Sequence, residues 1–213
     1  MIVAIESASS DLSVAIRGED GELLAVDGWR SAGRGAHELL PHLLAMLARG
    51  GYRLDQASAF AVGSGPGSFT GLRVGMSLTK GLALALRRPI VAVPSLEAWL
   101  AAEPEALAAV ARAGAREAYL LPRGETTPRI VDRDELPAQA GVAAVVAPGE
   151  LAEAFGLTGA TAPTSAAAAV AAIAATRLAT NPDGDDLARL EPAYLRAPRG
   201  LGQLQQPEAT PWR

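Results

Sequence analysis

Apolar residues open the chain as an uninterrupted block, Ile2, Val3, Ala4 and Ile5, which predicts a buried strand. A polar turn follows over residues 6–11. Leu12, Val14 and Ile16 then alternate with Ser13, Ala15 and Arg17, the period of a half-buried strand. Gly18-Glu19-Asp20-Gly21 supplies a hairpin turn, and residues 23–29 continue as a third strand. Past a flexible linker at residues 31–35 the spacing becomes helical over residues 36–49, closed by Gly50-Gly51. Leu40, Leu43, Leu44 and Leu47 make one stripe there, and Leu39 and Met46 extend it around the side. Pro41 fits a helix only within the first turn, where amides lack intrahelical acceptors.

The most unusual stretch is residues 57–86, ASAFAVGSGPGSFTGLRVGMSLTKGLALAL. A short apolar run leads into Gly63, Gly65, Gly67 and Gly71, with Pro66 stiffening the turn, and a helix follows from about Thr70 to Leu86. Thr70 is the expected N-cap. Leu72, Met76, Thr79, Ala83 and Leu86 form one apolar row, while Val74, Leu78, Leu82 and Ala85 form another. Two rows predict burial on two sides, one against the sheet and one against a neighbour that the small Gly71, Gly75, Ser77 and Gly81 let approach. A helix sandwiched inside its own lobe is the alternative.

Residues 89–94 read as a strand bounded by prolines, and Ser95 as the cap of a helix over residues 96–102. A domain boundary is expected near Glu103-Pro104, giving lobes at 1–103 and 104–196. Residues 106–111 are helical by propensity; residues 119–121, 128–131 and 142–147 read as strands. Pro163-Thr164-Ser165 starts an alanine-rich helix to about residue 179, stopped by Asn181-Pro182-Asp183-Gly184. Residues 197–213, rich in proline and glutamine, read as a disordered tail.

Composition narrows the function classes. The 213 residues carry a net charge of −4 with a single lysine, and no basic stripe is visible that would hold a phosphate backbone unaided. The absence of cysteine excludes disulfides, thiolate metal sites and thiol catalysis. Met1 leads straight into a strand without the features of a signal peptide, and the longest apolar tract, residues 166–175, is too short to span a bilayer. A soluble, cytoplasmic protein without membrane contact is expected.

Familiar loop chemistries fail at the glycine turn. A dinucleotide fingerprint would place Ser68 at its third glycine and finds no acid before Glu97. Lys80 is followed by Gly81 deep in the helix, unlike a Walker A loop, and neither Ser64 nor Ser68 has glycines on both sides at nucleophile-elbow spacing. A structural turn without a ligand stays open. The two histidines, His37 and His42, lie five residues apart, about 140° around a helix, and cannot chelate one ion. No metal site is expected.

Gly63-Ser-Gly-Pro-Gly-Ser-Phe-Thr-Gly-Leu-Arg-Val-Gly75, in its strand–turn–helix setting, resembles the hallmark segment of the TsaB (YeaZ) family. Its motif residues are Gly63, Gly65, Pro66, Gly67, Ser68, Phe69, Thr70, Gly71, Arg73 and Gly75. The His-x-x-x-Leu-Pro of the first helix and Pro192-Ala-Tyr-Leu-Arg196 are similar to the same family. The resemblance covers roughly residues 2–196, is thin over 104–185, and implies a strand at residues 106–111 where propensity favours helix. It implies an α/β fold of the actin/Hsp70/sugar-kinase (ASKHA) type with a reduced second lobe. It also implies a non-catalytic subunit pairing with TsaD, joined by a TsaE-like ATPase, in making N6-threonylcarbamoyladenosine on tRNA. On that reading tRNA is met only through the complex, ATP and Mg²⁺ are used by the complex with none bound tightly here, and a self-dimer is open. The first two helices would form the pairing surface: His37, Leu40, Leu43, Leu44, Leu47, Leu72, Met76, Thr79 and Ala83. Leu72→Glu or Met76→Glu is then expected to abolish pairing without unfolding the lobe. Where the family usually has Asp-Thr-Ser at the first turn, this chain has Glu6-Ser7-Ala8, leaving residual nucleotide affinity at Glu6 and Ser7 open and a solvated turn favoured. A kinase-type enzyme of the same fold is the alternative, and a metallopeptidase the remoter one, since TsaD's His-x-x-x-His pair is absent.

Overall fold

The computed structural model describes residues 1–31, 35–140 and 144–193. Three antiparallel strands, β1 (Ile2–Glu6), β2 (Asp11–Arg17) and β3 (Leu23–Arg30), open the first sheet. Helix α1 (Gly35–Gly50) leads to β4 (Ala59–Gly63), parallel to β1; α2 (Phe69–Leu86) leads to β5 (Ile90–Val93), parallel to β4. The order is β3-β2-β1-β4-β5. After α3 (Ser95–Ala102), β6 (Ala108–Arg112), β7 (Glu117–Pro122) and β8 (Arg129–Asp132) form a second meander. Helix α4 (Leu136–Ala140) precedes β9 (Val145–Val146), which lies parallel to β6 and gives the order β8-β7-β6-β9. The second sheet thus repeats the plan of the first, one strand shorter. Two further helices follow, α5 (Gly149–Phe155) and α6 (Ala166–Thr180).

The alternation in the first sheet separates large from small side chains. Val3, Ile5, Leu12, Val14, Ile16, Phe60 and Val62 point to α1 and α2, where Leu39, Leu43, Met46, Leu47, Met76 and Ala83 meet them. Ala4, Ala15, Ala59 and Ala61 point the other way, to Ala167, Val170, Ala171 and Ala174 of α6. Small side chains on both partners let α6 lie close: a Cβ on Gly28 would fall 1.8 Å from the Thr164 carbonyl oxygen. β2 is therefore buried on both faces, not half-buried, because Ser13, the polar residue of the alternation, donates no side to water; its Oγ accepts the Ala167 N–H at 3.0 Å.

The alanine helix consequently belongs to the first sheet in space, although it follows the expected boundary near residue 103 by more than sixty positions. Residues 106–111, helical by propensity, contribute β6 instead, because pairing with β7 and β9 outweighs the preference of alanine for helix. The strand expected at 142–147 is confined to β9, with residues 141–143 outside the described part. Most of the 31–35 linker, Tyr194-Leu195-Arg196 and the 197–213 tail also lie outside the described residues. No described helix is long and apolar enough to cross a membrane.

Beyond α6 the chain returns along β5. The Asp185 N–H donates to the Ile90 carbonyl at 2.8 Å, and its carboxylate accepts the Ala92 N–H at 2.7 Å. Leu187 and Leu190 pack on the core, and Lys80 on α2 donates to the Leu190 carbonyl. The Ala193 N–H then donates to the Ser64 carbonyl, bringing the end of the described chain to the glycine turn.

Candidate functional site

The glycine turn runs from the end of β4 to α2. Its helix begins one residue before the expected N-cap: Ser68 holds a non-helical backbone, and its Oγ accepts the Gly71 N–H at 3.2 Å. Thr70 is already inside the first turn and cannot be the cap. The glycines serve close approach to the β1–β2 turn. A Cβ at Gly67 would lie 2.2 Å from the Ala8 carbonyl oxygen, and one at Gly71 would lie 2.1 Å from that of Ser7. The Ser68 N–H donates to the Ala8 carbonyl at 2.6 Å, and the Ser7 hydroxyl to the Gly71 carbonyl at 3.0 Å.

This arrangement engages part of the backbone that a phosphate cradle would offer. The amides of Ser64, Gly65, Ser68 and Gly71 all have intramolecular acceptors. Glu6 and Ser7, the pair left open for nucleotide, are fully buried, so neither side chain reaches out of the turn as a solvated one would. The Glu6 Oε1 accepts the Ala8 N–H at 2.7 Å and the Ser95 hydroxyl at 3.2 Å, while Oε2 has no hydrogen-bond partner. Burial pushes this carboxyl up to about 7, opposed by the bonds from Ala8, Ser95 and Ser7. The buried Glu6 carboxylate, tied to Ala8 and Ser95, does not reach out of the turn to hold a metal. Ser95 was expected to cap α3; its hydroxyl instead accepts the Gly65 N–H at 3.0 Å and binds Glu6. No local sequence signal reports that reach across thirty residues.

A cleft of about 680 Å³ opens beside the turn, between the two sheets. Ser9, Ser10, Gly67, Ser68 and His37 line it from the first lobe, and Arg112, Gly114 and Glu150 from the second.

The nine residues expected at a pairing surface separate into two groups. Leu43, Leu47, Leu72, Met76, Thr79 and Ala83 are at most 3 % exposed and belong to the protein's own interior. The helical period identified apolar positions correctly but could not tell which stripe turns inward. On α1 the inward stripe is Leu39, Leu43, Met46 and Leu47; on α2 it is Leu72, Met76, Thr79 and Ala83. A glutamate at Leu72 or Met76 would therefore unfold the lobe rather than report pairing. His37, Leu40 and Leu44 remain on the surface, with Leu44 47 % exposed. Phe69, equally exposed, stands at the start of α2 under the Arg73 guanidinium.

His42 is engaged elsewhere on α1. Its ring stacks on Trp29 with centroids 3.7 Å apart, and Nδ1 lies 3.0 Å from the Asp27 carboxylate. Burial alone would raise Asp27, but the bonds from His42 and Arg49 hold it below the usual carboxylate range. Trp29 also donates to Glu38 at 2.8 Å, so this network pins α1 to β3.

Comparison with known proteins gives a consistent family. Residues 32–141 match the model described as "TsaD: tRNA N6-adenosine threonylcarbamoyltransferase". Over 99 residues the chain is 34% identical to the Haemophilus influenzae "tRNA threonylcarbamoyladenosine biosynthesis protein TsaB", covering 46% of this chain and 40% of that protein. The Escherichia coli protein of the same name is 32% identical over 105 residues, covering 45% and 40%. A Gluconobacter oxydans "tRNA N6-adenosine threonylcarbamoyltransferase" is 38% identical over 112 residues, covering 46% and 30%. The chain thus spans less than half the length of these curated relatives. Among solved structures, YeaZ from Pseudomonas aeruginosa superimposes with a TM-score of 0.67 at 22% identity, over 91% of this chain and 99% of that one, a likeness of fold. The chain belongs to the family described by the TsaD model, and over about half of its length it is similar to proteins named TsaB as well as to TsaD-type enzymes.

Proposed function

We propose that this chain is a non-catalytic partner subunit that pairs with a TsaD-type subunit in synthesising N6-threonylcarbamoyladenosine on tRNA. The observation that carries this reading is the outer face of α1, where Leu40 and Leu44, one turn apart, are exposed beside exposed Pro41, Ala45 and Ala48. Such a stripe, with Phe69, Ser77 and Gly81 also exposed on α2, suits a helical partner better than water. The names of the TsaB relatives support the pathway. The burial of Glu6 and Ser7 supports a scaffold role over a kinase-type enzyme that would hold Mg-ATP with them. The metallopeptidase reading gains no support: among the described residues no three His, Asp or Glu side chains come together as metal ligands.

On this reading ATP and Mg²⁺ are handled by the TsaD-type subunit and a TsaE-type ATPase, and tRNA is met through the assembly in the cytoplasm. A self-dimer would use the same α1 face. The repeated strand plan of the two sheets supports an ASKHA-type duplication with a reduced second lobe. The test is to mix the chain with the TsaD-type subunit of its own organism and follow size-exclusion chromatography with light scattering, then tRNA modification. A one-to-one complex, with modification needing both chains, is expected; tight Mg-ATP binding by this chain alone, without a complex, would overturn the reading.

A further inference from the structure

Two carboxylates are fully buried among the described residues, and only one of them is met by a cation. Asp11 faces the Arg30 guanidinium at 3.0 Å. No ion pair reaches Glu6 among the described residues. Its neighbours are uncharged: Ser13 opposite it on β2, Gly63 on β4, and Ser95 on α3, which links it to Gly65. Of the charged residues on those neighbouring elements, Glu97 pairs with Arg177, Arg73 lies over Phe69, Lys80 reaches Leu190, and Arg17 sits opposite Ile2 at the far end of β1. The unpaired Oε2 abuts the Gly63 backbone, since a Cβ there would sit 2.0 Å from it.

Glu6 is also where three chain segments meet. Through Oε1 it holds the β1–β2 turn at the Ala8 N–H, and through the Ser95 hydroxyl it is linked to the Gly65 N–H. The glycine turn is thus tied to Glu6 through Ser95, and the start of α2 through Ala8, whose carbonyl accepts the Ser68 N–H, while one oxygen of the carboxyl has no donor. Neutral, that oxygen is tolerated in an apolar site; ionised, it needs water or a donor that the closed turn does not supply.

We propose that Glu6 is a proton-operated pin of the glycine turn: protonated, it holds the turn and the N-terminus of α2 shut on β1; ionised, it admits water and loosens both. The pin regulates the surface assigned above, and only its last consequence, weaker pairing at higher pH, rests on the partner reading.

Amide exchange by NMR on the full chain, corrected for intrinsic rates, tests this. Opening that hydrates Glu6 returns it from about 7 to its ordinary 4.5, so protection at Gly65 and Ser68 should fall about thirtyfold between pH 5.5 and 8.5. Glu6→Gln should keep the low-pH protection at every pH. Unchanged wild-type protection, or the same fall in Glu6→Gln, would overturn the pin. Should Glu6→Gln not fold, the ¹³C shift of the Glu6 carboxyl decides: a midpoint near neutrality supports the pin and one in the ordinary carboxylate range refutes it. A pH-responsive turn with no binding of the TsaD-type subunit would leave the pin standing and remove the partner reading.

Discussion

On one face of the five-stranded sheet, Val3, Ile5, Val14, Ile16, Phe60 and Val62 interlock with the leucines and methionines of α1 and α2. On the other, Ala4, Ala15, Ala59 and Ala61 lie against an alanine helix so close that a glycine at residue 28 meets a carbonyl. Both faces are dry, but they fail differently. The first is filled by volume, so it is sensitive to what is removed. The second is filled by proximity, so it is sensitive to what is added. The difference also bears on where the proposed partner would fit. Helices spaced by large side chains stand proud of the sheet and keep an outer face, whereas α6 carries no large exposed apolar side chain.

The largest effect should come from emptying the first face. Phe60→Ala is expected to cost about 3–5 kcal/mol in chemical denaturation, through lost transfer energy and the cavity left behind. A cost below that of an ordinary surface change would break the contrast. Next is the titration of Glu6, which continues the small-residue face at the end of β1. Its folded value lies above the unfolded one, so the native state binds the proton more tightly between the two. The contribution of Glu6 is then greatest below pH 4.5 and declines through pH 7, by about 3 kcal/mol in all, while Asp27, held below its ordinary value, contributes in the opposite sense as pH falls. Denaturation midpoints of wild type and Glu6→Gln across pH 5–8.5 check the slope, which the glutamine should abolish.

Overfilling the second face comes third. Ala171→Leu should cost about 1–3 kcal/mol by forcing α6 away from β1, read as a lowered melting temperature. A stabilised protein would mean that the alanine face has room. Smallest is Leu44→Glu, on the outer side of α1, whose effect on folding should stay within about 0.5 kcal/mol.

The sequence made the first three strands, β4, β5 and α2 readable because their periods are strong and bounded by glycine, proline or serine. It could not place α6, since an alanine helix has little contrast between its faces. Nor could it orient α1 and α2: with Leu39, Leu40, Leu43 and Leu44 all apolar, period alone leaves the inward stripe undecided, and packing on Phe60 and Ile16 decides it. β6 was obscured by helix-favouring alanines, and α4 and α5 gave no signal that stood out. At the site, the glycine motif was visible as a motif. Its use in clamping the β1–β2 turn, through Ser95 and Glu6, depends on contacts between residues distant in sequence.

The account turns on the outer face of α1 being a pairing surface while the inner face is core. The most direct measurement is binding of Leu44→Glu to the TsaD-type subunit by size-exclusion chromatography with light scattering, beside a melting curve of the same variant. The account predicts a normally folded protein that no longer forms the one-to-one complex. A folded Leu44→Glu that pairs as tightly as the wild type would contradict it.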